Sequence, residues 1–494
     1  YLYTAANSDQ PAQNVLGDDF VIRPQFARTG EIPTRDAVNM PRPVDNRPPM
    51  LVSAWVFDLG SVAAQPVTSQ LIIAYDDIFS VEYMHRKLRP YWRRNGADAA
   101  DLIETAIHEA DELRQQCAAF DAELMSDLRQ SGGDAYAGLG ALAFRQCIAA
   151  HKLAADLDGT PLFFSKENFS NGCMDTVDVF YPSSPFFLLF NPELLRGQLT
   201  PILDYASSPR WPFPFAPHDI GRYPLGNGQA YGGGEKADLN QMPVEECGNM
   251  LILVAAVCQA QADVSYATRY WDTLTVWAEY LSEKGLDPEN QLCTDDFAGH
   301  LAHNINLSLK AIVAIGAYAW LCQQRGLSQE AAQYRAQAEQ MAQQWQEMAA
   351  EGDHYRLTFD QPGTWSQKYN LVWDQILGLD LFPPEVARKE IAFYKTQQGR
   401  YGLPLDSRST YTKLDWIVWT ATMSETSADF VTFIEPIYDW LSATEDRVPM
   451  TDWYYTDSGR QVHGMQARPV VGGVFIRLLN DRKIWQKWLQ KAKA

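Results

Sequence analysis

The feature that most constrains the fold is an alternation of two kinds of helical segment from about residue 98 onward. Segments such as 98–130 and 328–350 are long, charged on one side and amphipathic, which is typical of helices that cover a core. A second kind is apolar nearly all round and rich in alanine and glycine, and a helix that is apolar on every face is buried. These apolar segments are 136–150, 250–260, 307–321 and 470–479. Alternating outer and inner helices predict an (α/α)6 barrel, a ring of six helical hairpins.

Start and stop signals place the individual helices. Ser131-Gly-Gly133 ends the first helix, Ser265 and Ser328 are suitable caps, and Pro383-Pro384 suits a first turn. We expect twelve helices, followed by a short tail after Asp481, at 98–130, 135–153, 192–206, 243–260, 265–284, 302–325, 328–350, 366–379, 383–397, 410–423, 427–443 and 468–480.

Residues 1–75 have a different pattern. Short β-type runs at 20–23, 50–57 and 67–75 are separated by proline-rich connections. Three or four strands over such long linkers make a poor independent domain. We therefore predict that 1–75 is the tail of a larger β domain whose earlier strands are absent from this chain, and that 76–494 forms the barrel.

Charge and motif content exclude several classes of protein. Lys and Arg total 41 against 61 Asp and Glu, a net charge of −20, so the surface repels phosphate backbones and we expect no nucleic-acid partner. The apolar runs near 250–258 and 311–322 are shorter than the roughly 20 residues that cross a bilayer, which predicts no membrane span. The seven cysteines show no CxxC pair, and HExxH, GxSxG and phosphate-loop motifs do not occur. We expect no cofactor and no metal.

The loops that lead into the inner helices should lie together on one rim of the ring. They are 154–191, 207–242, 285–301, 351–365, 398–409 and 444–467, and they hold nearly all the unusual motifs. The opposite connections, such as 324–328 and 380–383, are short and plain. Because function usually resides on loops held by a rigid scaffold, this asymmetry predicts one active rim.

Paired carboxylates are the first chemical candidates on that rim. Glu245-Glu246 and Asp295-Asp296 are adjacent like charges, which raise one pKa of the pair and suit a general acid facing a general base. Both pairs also precede inner helices, where they would serve equally as caps and first-turn acids. Two-carboxylate hydrolysis takes its acids from different loops, so Asp295 or Asp296 with Asp452 would fit. Further rim acids are Asp219 and Asp406.

Histidines are the second candidates. His218 beside Asp219 could be a proton shuttle held by a carboxylate, or a structural histidine. His300 and His303 are three residues apart and could share a helix face near Asp296. A lone HxxH is a weak metal pattern, so the prediction of no metal stands.

At this level of detail the chain resembles the fungal and bacterial glutaminase A family. Examples are Phe164-Ser-Lys-Glu-Asn-Phe-Ser-Asn-Gly172 and His218-Asp-Ile-Gly-Arg-Tyr-Pro224, and further similar runs are 179–185, 242–250, 293–304, 365–374, 401–408, 447–453 and 466–473. The resemblance implies a secreted or periplasmic hydrolase with a six-hairpin catalytic domain. It also implies a large N-terminal β-sandwich, of which only the end is expected here, the remainder being missing or a separate polypeptide partner.

Two functional hypotheses follow. In the first, the protein converts L-glutamine to glutamate and ammonia: a rim carboxylate activates water, His218 or an aspartate protonates the ammonia, and Arg408, Lys413 or Arg468 binds the α-carboxylate. In the second, a glycoside hydrolase uses Asp295 or Asp296 with Asp452, while aromatic rings stack on sugar. The expected substrate contacts also include Trp365, Tyr369, Asn370, Asp406, Trp453 and His303.

Overall fold

The computed structural model describes residues 1–6, 12–40, 42, 47–61, 64–446, 448–462 and 464–493. Arg447, the first residue of the rim motif 447–453, lies outside the described residues. The chain divides into two compact units, residues 1–78 with 92–119, and residues 79–91 with 120–494.

The first unit contains two antiparallel strand pairs and one short helix. β1 (Leu2–Ala6) pairs with β4 (Leu71–Tyr75), β2 (Ala12–Asp18) pairs with β3 (Leu51–Phe57), and α1 spans Asp19–Thr29. The strands expected at 50–57 and 67–75 are confirmed as β3 and β4, whereas β1 and β2 were not predicted. The strand expected at 20–23 is wrong, because these residues lie in α1. Gly30 ends that helix in a left-handed conformation, and Ile22 packs on Val15 and Ile32.

A small sheet and a long helix begin the second unit. Strands β5 (Val81–Tyr83), β6 (Arg86–Pro90), β7 (His151–Ala155), β8 (Pro161–Ser165) and β9 (Leu225–Gly226) form a sheet in the order β8-β7-β6-β5-β9. Helix α2 (Ala99–Ala149) is interrupted at Gly133, whose φ of 79° is not helical. This break confirms the predicted stop at residues 131–133. Residues 99–119 of α2 belong to the first unit.

Thirteen further α-helices follow within the described residues. They are α3 (Val177–Phe190), α4 (Pro192–Ala206), α5 (Pro243–Gln261), α6 (Ser265–Arg269), α7 (Trp271–Lys284), α8 (Ile305–Gln324), α9 (Ser328–Ala349), α10 (Val372–Leu377), α11 (Pro384–Gln397), α12 (Leu414–Thr422), α13 (Ser427–Ala443), α14 (Ile476–Asn480) and α15 (Arg482–Ala492). Two hairpins of short strands, β10 (Ala350–Glu351) with β11 (His354–Tyr355) and β12 (Tyr411–Lys413) with β13 (Trp453–Tyr455), lie between helices.

Six buried helices form a closed ring, which confirms the predicted (α/α)6 fold. In order they are α3, α5, α8, α10, α12 and α14, each contacts the next, and α14 returns to α3. A 3₁₀ turn precedes α10 at Tyr369–Leu371, and another precedes α14 at Pro469–Phe475. The helices between them, α4, α7, α9, α11, α13 and α15, are partly exposed. Since each inner helix is followed by an outer one that returns, all six inner helices begin at the same end of the ring.

The identity of two ring helices differs from the prediction. Segment 136–150 is buried on one side only, so it is not an inner helix, and α3 takes that place. The segment of α3 was predicted as a loop because it contains Pro182 and Pro185. Side chains replace the two lost backbone bonds: Thr294 Oγ1 donates to the carbonyl of Asp178, and Ser184 Oγ donates to the carbonyl of Tyr181.

Other differences are local. The tail after Asp481 is helix α15, which Asp481 caps by accepting from the backbone N–H groups of residues 483 and 484. Segment 410–423 begins as strand β12, and 366–379 contains only the 3₁₀ turn and α10. Helix α8 is long and apolar enough to cross a membrane by length and composition, whereas the shorter apolar run 311–322 within it had predicted no membrane span. Its apolar window is 94% buried within the protein, as its place in the ring requires.

Candidate active site at the mouth of the ring

The first turns of three inner helices bring carboxylates to one end of the ring, called here the mouth. Asp178 lies in the first turn of α3, Glu245 and Glu246 in that of α5, and Asp415 in that of α12. The positive ends of these helices favour negative charge nearby. The loops that enter the inner helices add Asp219, Asp295, Asp452 and Arg468.

His218 is held rigidly between two buried aspartates. Asp219 accepts hydrogen bonds from the backbone N–H groups of Gly221 (2.8 Å), Ala230 (2.8 Å) and Tyr231 (3.0 Å), and lies 2.9 Å from His218 Nδ1. The opposite nitrogen, Nε2, lies 3.5 Å from Asp178 Oδ1. The Tyr231 ring stacks on the imidazole with 4.0 Å between centroids. Asp219 therefore positions His218, because its oxygens are occupied by these partners.

The two neighbouring glutamates of α5 have different partners. Glu245 accepts a hydrogen bond from Asn249 Nδ2 (3.0 Å) and another from the buried ammonium of Lys310 on α8. Glu246 Oε2 also accepts from Asn249 Nδ2 (2.9 Å), but Glu246 Oε1 has no hydrogen bond among the described residues. The charge of Glu245 is thus compensated by a cation, and that of Glu246 is not.

Asp178, His218 and Glu246, called here the acid–imidazole group, have strongly shifted pKa values. Burial raises the pKa of Asp178 to about 7. Burial, together with the charge of Asp178, raises the pKa of Glu246 well above its ordinary value. Burial opposes the charged form of His218, but the hydrogen bond to Asp219 and the charge of Asp178 raise its pKa to about 10.

A second buried group combines cations with acids. Lys413 Nζ lies 3.3 Å from Asp452 Oδ2 and 3.9 Å from Asp415 Oδ2. Arg468 lies 3.7 Å from Asp452 and 4.0 Å from Glu167. We call these five residues the charged cluster. Both carboxylate oxygens of Asp452 and Asp415, and Arg468 Nε, have no hydrogen bond within the part of the chain that the structure describes.

Electrostatics within the charged cluster keep Asp452 ionised. Burial opposes ionisation, but Arg468 and Lys413 lower the pKa of Asp452 below its ordinary value. Burial also opposes the charged form of Lys413, whereas Asp415 and Asp452 raise its pKa. The cluster therefore presents both signs of charge with unused hydrogen-bonding capacity.

Asp295 and Asp296 lie beside these groups and differ from each other. Asp295 is buried, and its oxygens accept from Tyr369 OH (2.9 Å) and Trp416 Nε1 (3.2 Å). Burial raises the pKa of Asp295 to about 6. Asp296 is half-buried and accepts from Tyr231 OH at 2.9 Å. The ring of that tyrosine stacks on His218, which links Asp296 to the acid–imidazole group, and the charge of Asp296 contributes to the raised pKa values of Asp178 and Arg468.

Several predicted substrate contacts are engaged elsewhere. His303 pairs with Asp287 at 2.7 Å and is half-exposed. The predicted helix face shared by His300 and His303 near Asp296 is wrong, because α8 begins only at Ile305. Asn370 accepts from Tyr181 OH (2.9 Å) and donates to the carbonyl of Asn306 (3.2 Å), which makes it a structural link between inner helices.

The remaining predicted contacts are also occupied by protein partners. Arg408 makes a bidentate pair with Asp406 (3.0 and 2.7 Å), so its guanidinium already has a carboxylate. Trp365 packs on Phe393 and Tyr394 of α11, with centroid distances of 5.8 and 6.0 Å. Trp453 is buried against Phe297, 4.2 Å between centroids.

Five residues of the mouth were not predicted: Asp178, Glu167, Asp415, Tyr231 and Trp416. Asp178 and Asp415 share a signal that was available, an acid in the first turn of an apolar helix. It was missed for Asp178 because α3 was taken as a loop. Tyr231 and Trp416 act through partners on other loops, and a single sequence carries no signal for such pairs.

A closed ring of six hairpins, with acids, an imidazole and three cations buried at its mouth, defines a six-hairpin hydrolase. The chain belongs to the glutaminase A family: residues 133–478 match the glutaminase A six helical-hairpin domain, and residues 1–127 match a domain of unknown function. The resemblance predicted from the sequence is confirmed.

Two curated relatives agree with this membership. The chain is 34% identical to glutaminase A of Aspergillus oryzae over 490 residues, which is 97% of this chain and 69% of that protein. It is 28% identical to a probable glutaminase of Arthroderma benhamiae, over 94% of this chain and 64% of that protein. Among solved structures, a bacterial glucoamylase complexed with acarbose has 10% identity and a TM-score of 0.49, covering 99% of this chain and 73% of its own. A glycosidase variant has 12% identity and a TM-score of 0.48, covering 70% and 96%.

Proposed function

We propose that this hydrolase cleaves the side-chain amide of L-glutamine, giving L-glutamate and ammonia, at the mouth of the ring. The observation that carries the proposal is the charged cluster, whose buried cations and anions have unused hydrogen-bonding capacity. An amino acid needs a cation for its α-carboxylate and an anion for its α-ammonium group. The names of the curated relatives support the same substrate.

Arg468 is the residue best suited to bind the α-carboxylate. Its side chain is 11% exposed, and its ion-pair distances of 3.7 and 4.0 Å are longer than hydrogen bonds. Nε has no partner among the described residues. A carboxylate can accept two parallel hydrogen bonds from a guanidinium, so the substrate would satisfy donors that the protein leaves unsatisfied. Asp452 forms ion pairs with Lys413 and Arg468, but neither of its oxygens accepts a hydrogen bond within the described residues, so it would then accept from the α-ammonium group.

Asp296 is the residue that we assign to proton transfer. It is half-buried and is oriented by the hydroxyl of Tyr231, whose ring stacks on His218, and its charge acts on both Asp178 and Arg468. Its carboxylate takes a proton from the water that attacks the amide carbon. The C–N bond then breaks, and ammonia leaves with the proton that the Asp296 carboxyl returns.

The glycosidase alternative has weaker support from the aromatic residues. Tyr369 and Trp416 stack on each other at 4.0 Å between centroids, and Trp453 is buried under Phe297. Trp365 packs on the outer helix α11. These rings are used for packing, whereas a sugar platform needs an open aromatic face.

The test is ammonia release from L-glutamine by Arg468→Gln, with Arg460→Gln as the matched control. Arg460 lies on the same loop but is exposed, and it pairs with Glu445 and Asp446 on the surface. Loss of one partner of a buried charge pair costs about 3 kcal/mol, which is about a 100-fold loss in kcat/KM, mostly through KM. The control variant should retain wild-type activity.

A truncated substrate tests specifically whether Arg468 binds the α-carboxylate. 4-Aminobutanamide lacks the α-carboxylate, so the wild type should turn it over about 100-fold less efficiently than L-glutamine. Arg468→Gln should show no further loss on that substrate. An equal loss on both substrates would contradict the role of Arg468. Absence of ammonia release by the wild type, with turnover in a parallel panel of aryl glycosides, would overturn the proposed function.

For Asp296, the test variant is Asp296→Asn. Asp272→Asn is the control, because Asp272 is an exposed first-turn residue of the outer helix α7. A general base contributes about 10²–10⁴-fold, so kcat should fall by that factor in Asp296→Asn alone. Unchanged kcat would show that another group transfers the proton.

A further inference from the structure

We infer that Asp178, His218 and Glu246 form a binding site for one divalent transition-metal ion. Each offers one ligand atom, Asp178 Oδ, His218 Nε2 and Glu246 Oε, and these atoms lie within 4.8 Å of one another. All three residues are more than nine-tenths buried. They come from α3, the 207–242 loop and α5, so they do not form a recognisable sequence motif.

One carboxylate oxygen of Asp178 and one of Glu246 lack a hydrogen bond. Asp178 Oδ1 and Glu246 Oε1 are buried and make no hydrogen bond among the described residues. Buried polar atoms are nearly always satisfied, and an unpaired buried carboxylate is strongly unfavourable. Either a proton or a cation must therefore compensate them. In contrast, neighbouring Glu245 already has the ammonium of Lys310.

The surroundings of His218 match those of a metal-binding histidine. Asp219 accepts from Nδ1, which in the neutral imidazole leaves the lone pair of Nε2 directed toward Asp178. A carboxylate on the far nitrogen is the usual partner of a metal-binding histidine, since it fixes the tautomer and the ring orientation. Asp219 is itself fixed by three backbone N–H groups, and Glu246 is oriented by Asn249. The outer contacts that a metal site requires are thus already built.

Local charge also favours a divalent ion. Asp178, Asp219 and Glu246 carry three negative charges when ionised, and His218 carries at most one positive charge. Glu246 forms no ion pair with a lysine or arginine in the described ranges. With all three carboxylates ionised and the imidazole neutral, a divalent cation would reduce the net charge of the group from −3 to −1.

The ligand set indicates the kind of ion. One imidazole with two carboxylates suits Zn²⁺ or Mn²⁺, whereas Ca²⁺ takes six to eight oxygen ligands. Three protein ligands leave an open position, which is typical of catalytic zinc. The role of the ion in the reaction rests on the proposed function. A cation here would stabilise negative charge on the amide oxygen, which two bare carboxylates would oppose.

The experiment is metal binding by the whole chain after dialysis against EDTA. Titration calorimetry with Zn²⁺, and elemental analysis after gel filtration, should give one ion per chain. Glu246→Gln preserves shape and should weaken Zn²⁺ binding more than about 100-fold, whereas Asp219→Asn, which loosens His218, should weaken it about 10–100-fold. His303→Gln is the control, because His303 and Asp287 form an exposed pair able to bind zinc adventitiously.

Visible absorption of bound Co²⁺ tests the metal site without an activity assay. Co²⁺ bound by one nitrogen and two oxygens should give visible absorption bands that Glu246→Gln removes and His303→Gln retains. Thermal unfolding checks that each variant is folded. Absence of stoichiometric binding, or binding that Glu246→Gln leaves unchanged, overturns the site.

The metal site and the proposed function can fail separately. Stoichiometric Zn²⁺ binding that Glu246→Gln abolishes, without ammonia release by the metal-loaded protein, supports the site and overturns the proposed function. Ammonia release by a metal-free protein that binds no Zn²⁺ supports the proposed function and overturns the site.

Discussion

Lys310 offers the sharpest test of how the mouth of the ring is stabilised. Its ammonium is fully buried, donates to Glu245 and to Asn249 Oδ1 (2.7 Å), and lies 4.3 Å from the centroid of the Tyr181 ring. Gly248 makes room for the lysine stem: a Cβ at that position would lie 2.7 Å from Lys310 Cγ. Lys310 is therefore the cation that pairs with the Glu245 carboxylate inside the ring.

The perturbation is Lys310→Met, which keeps the apolar stem and removes the charge. Glu245 would be left buried and ionised, with one amide donor in place of a cation. Removing one partner of a buried ion pair costs about 3–5 kcal/mol. The double variant Lys310→Met/Glu245→Gln removes both charges and should recover most of that loss, because replacing a whole buried pair is often nearly neutral.

The assay is denaturant unfolding of the single variants, the double variant and Lys284→Met. Lys284 is the control, because it is a partly exposed lysine that pairs with Glu283 and Glu289 on the surface. An exposed pair contributes about 0–1 kcal/mol, so its loss should be small. The reasoning is refuted if Lys310→Met has the same free energy of unfolding as the wild type. It is also refuted if the double variant is no more stable than Lys310→Met.

Two further outcomes are expected. Burial lowers the pKa of His151 from 6.5 to about 3, so below pH 6.5 only the unfolded state binds the proton. Stability is full above pH 6.5, falls by about 1.4 kcal/mol per pH unit below it, and continues to fall toward pH 3. Unfolding midpoints at pH 7 and 5 should therefore differ less in His151→Gln than in the wild type, whereas a replacement of exposed His108 should change nothing. Gly221→Ala should abolish ammonia release, because φ is 136° and a Cβ would lie 2.2 Å from the carbonyl oxygen of Leu225, displacing the N–H that fixes Asp219. Gly159→Ala, also at positive φ but in open space, should leave activity intact, and the reverse order would contradict the role of the 218–231 segment.

The ring could be predicted because the apolar residues of most of its helices follow a recognisable helical pattern. Helices α5, α8 and α9 follow directly from the apolar and amphipathic patterns. Helix α3 could not be recognised in that way, because its prolines suggest a loop and their lost hydrogen bonds are replaced by Thr294 and Ser184. The first of these replacements comes from a residue more than a hundred positions away.

The site was less predictable than the fold. The sequence places Glu245 and Glu246 together but does not tell which is compensated, because Lys310 comes from another helix. It places Asp295 beside Asp296, but the donors that engage Asp295 come from other loops. Periodicity indicates which face of a helix is buried, whereas partners across the ring depend on how six separate segments meet.

The central claim is that the charged cluster binds the amino-acid end of L-glutamine and the acid–imidazole group receives its amide. A crystal structure with L-glutamate, the reaction product, tests this most directly. We expect the α-carboxylate to accept hydrogen bonds from Arg468, the α-ammonium group to lie on Asp452, and the side-chain carboxylate to lie beside Asp296, Asp178 and His218. Glutamate bound in the reverse orientation, or bound away from the mouth of the ring, would contradict the account.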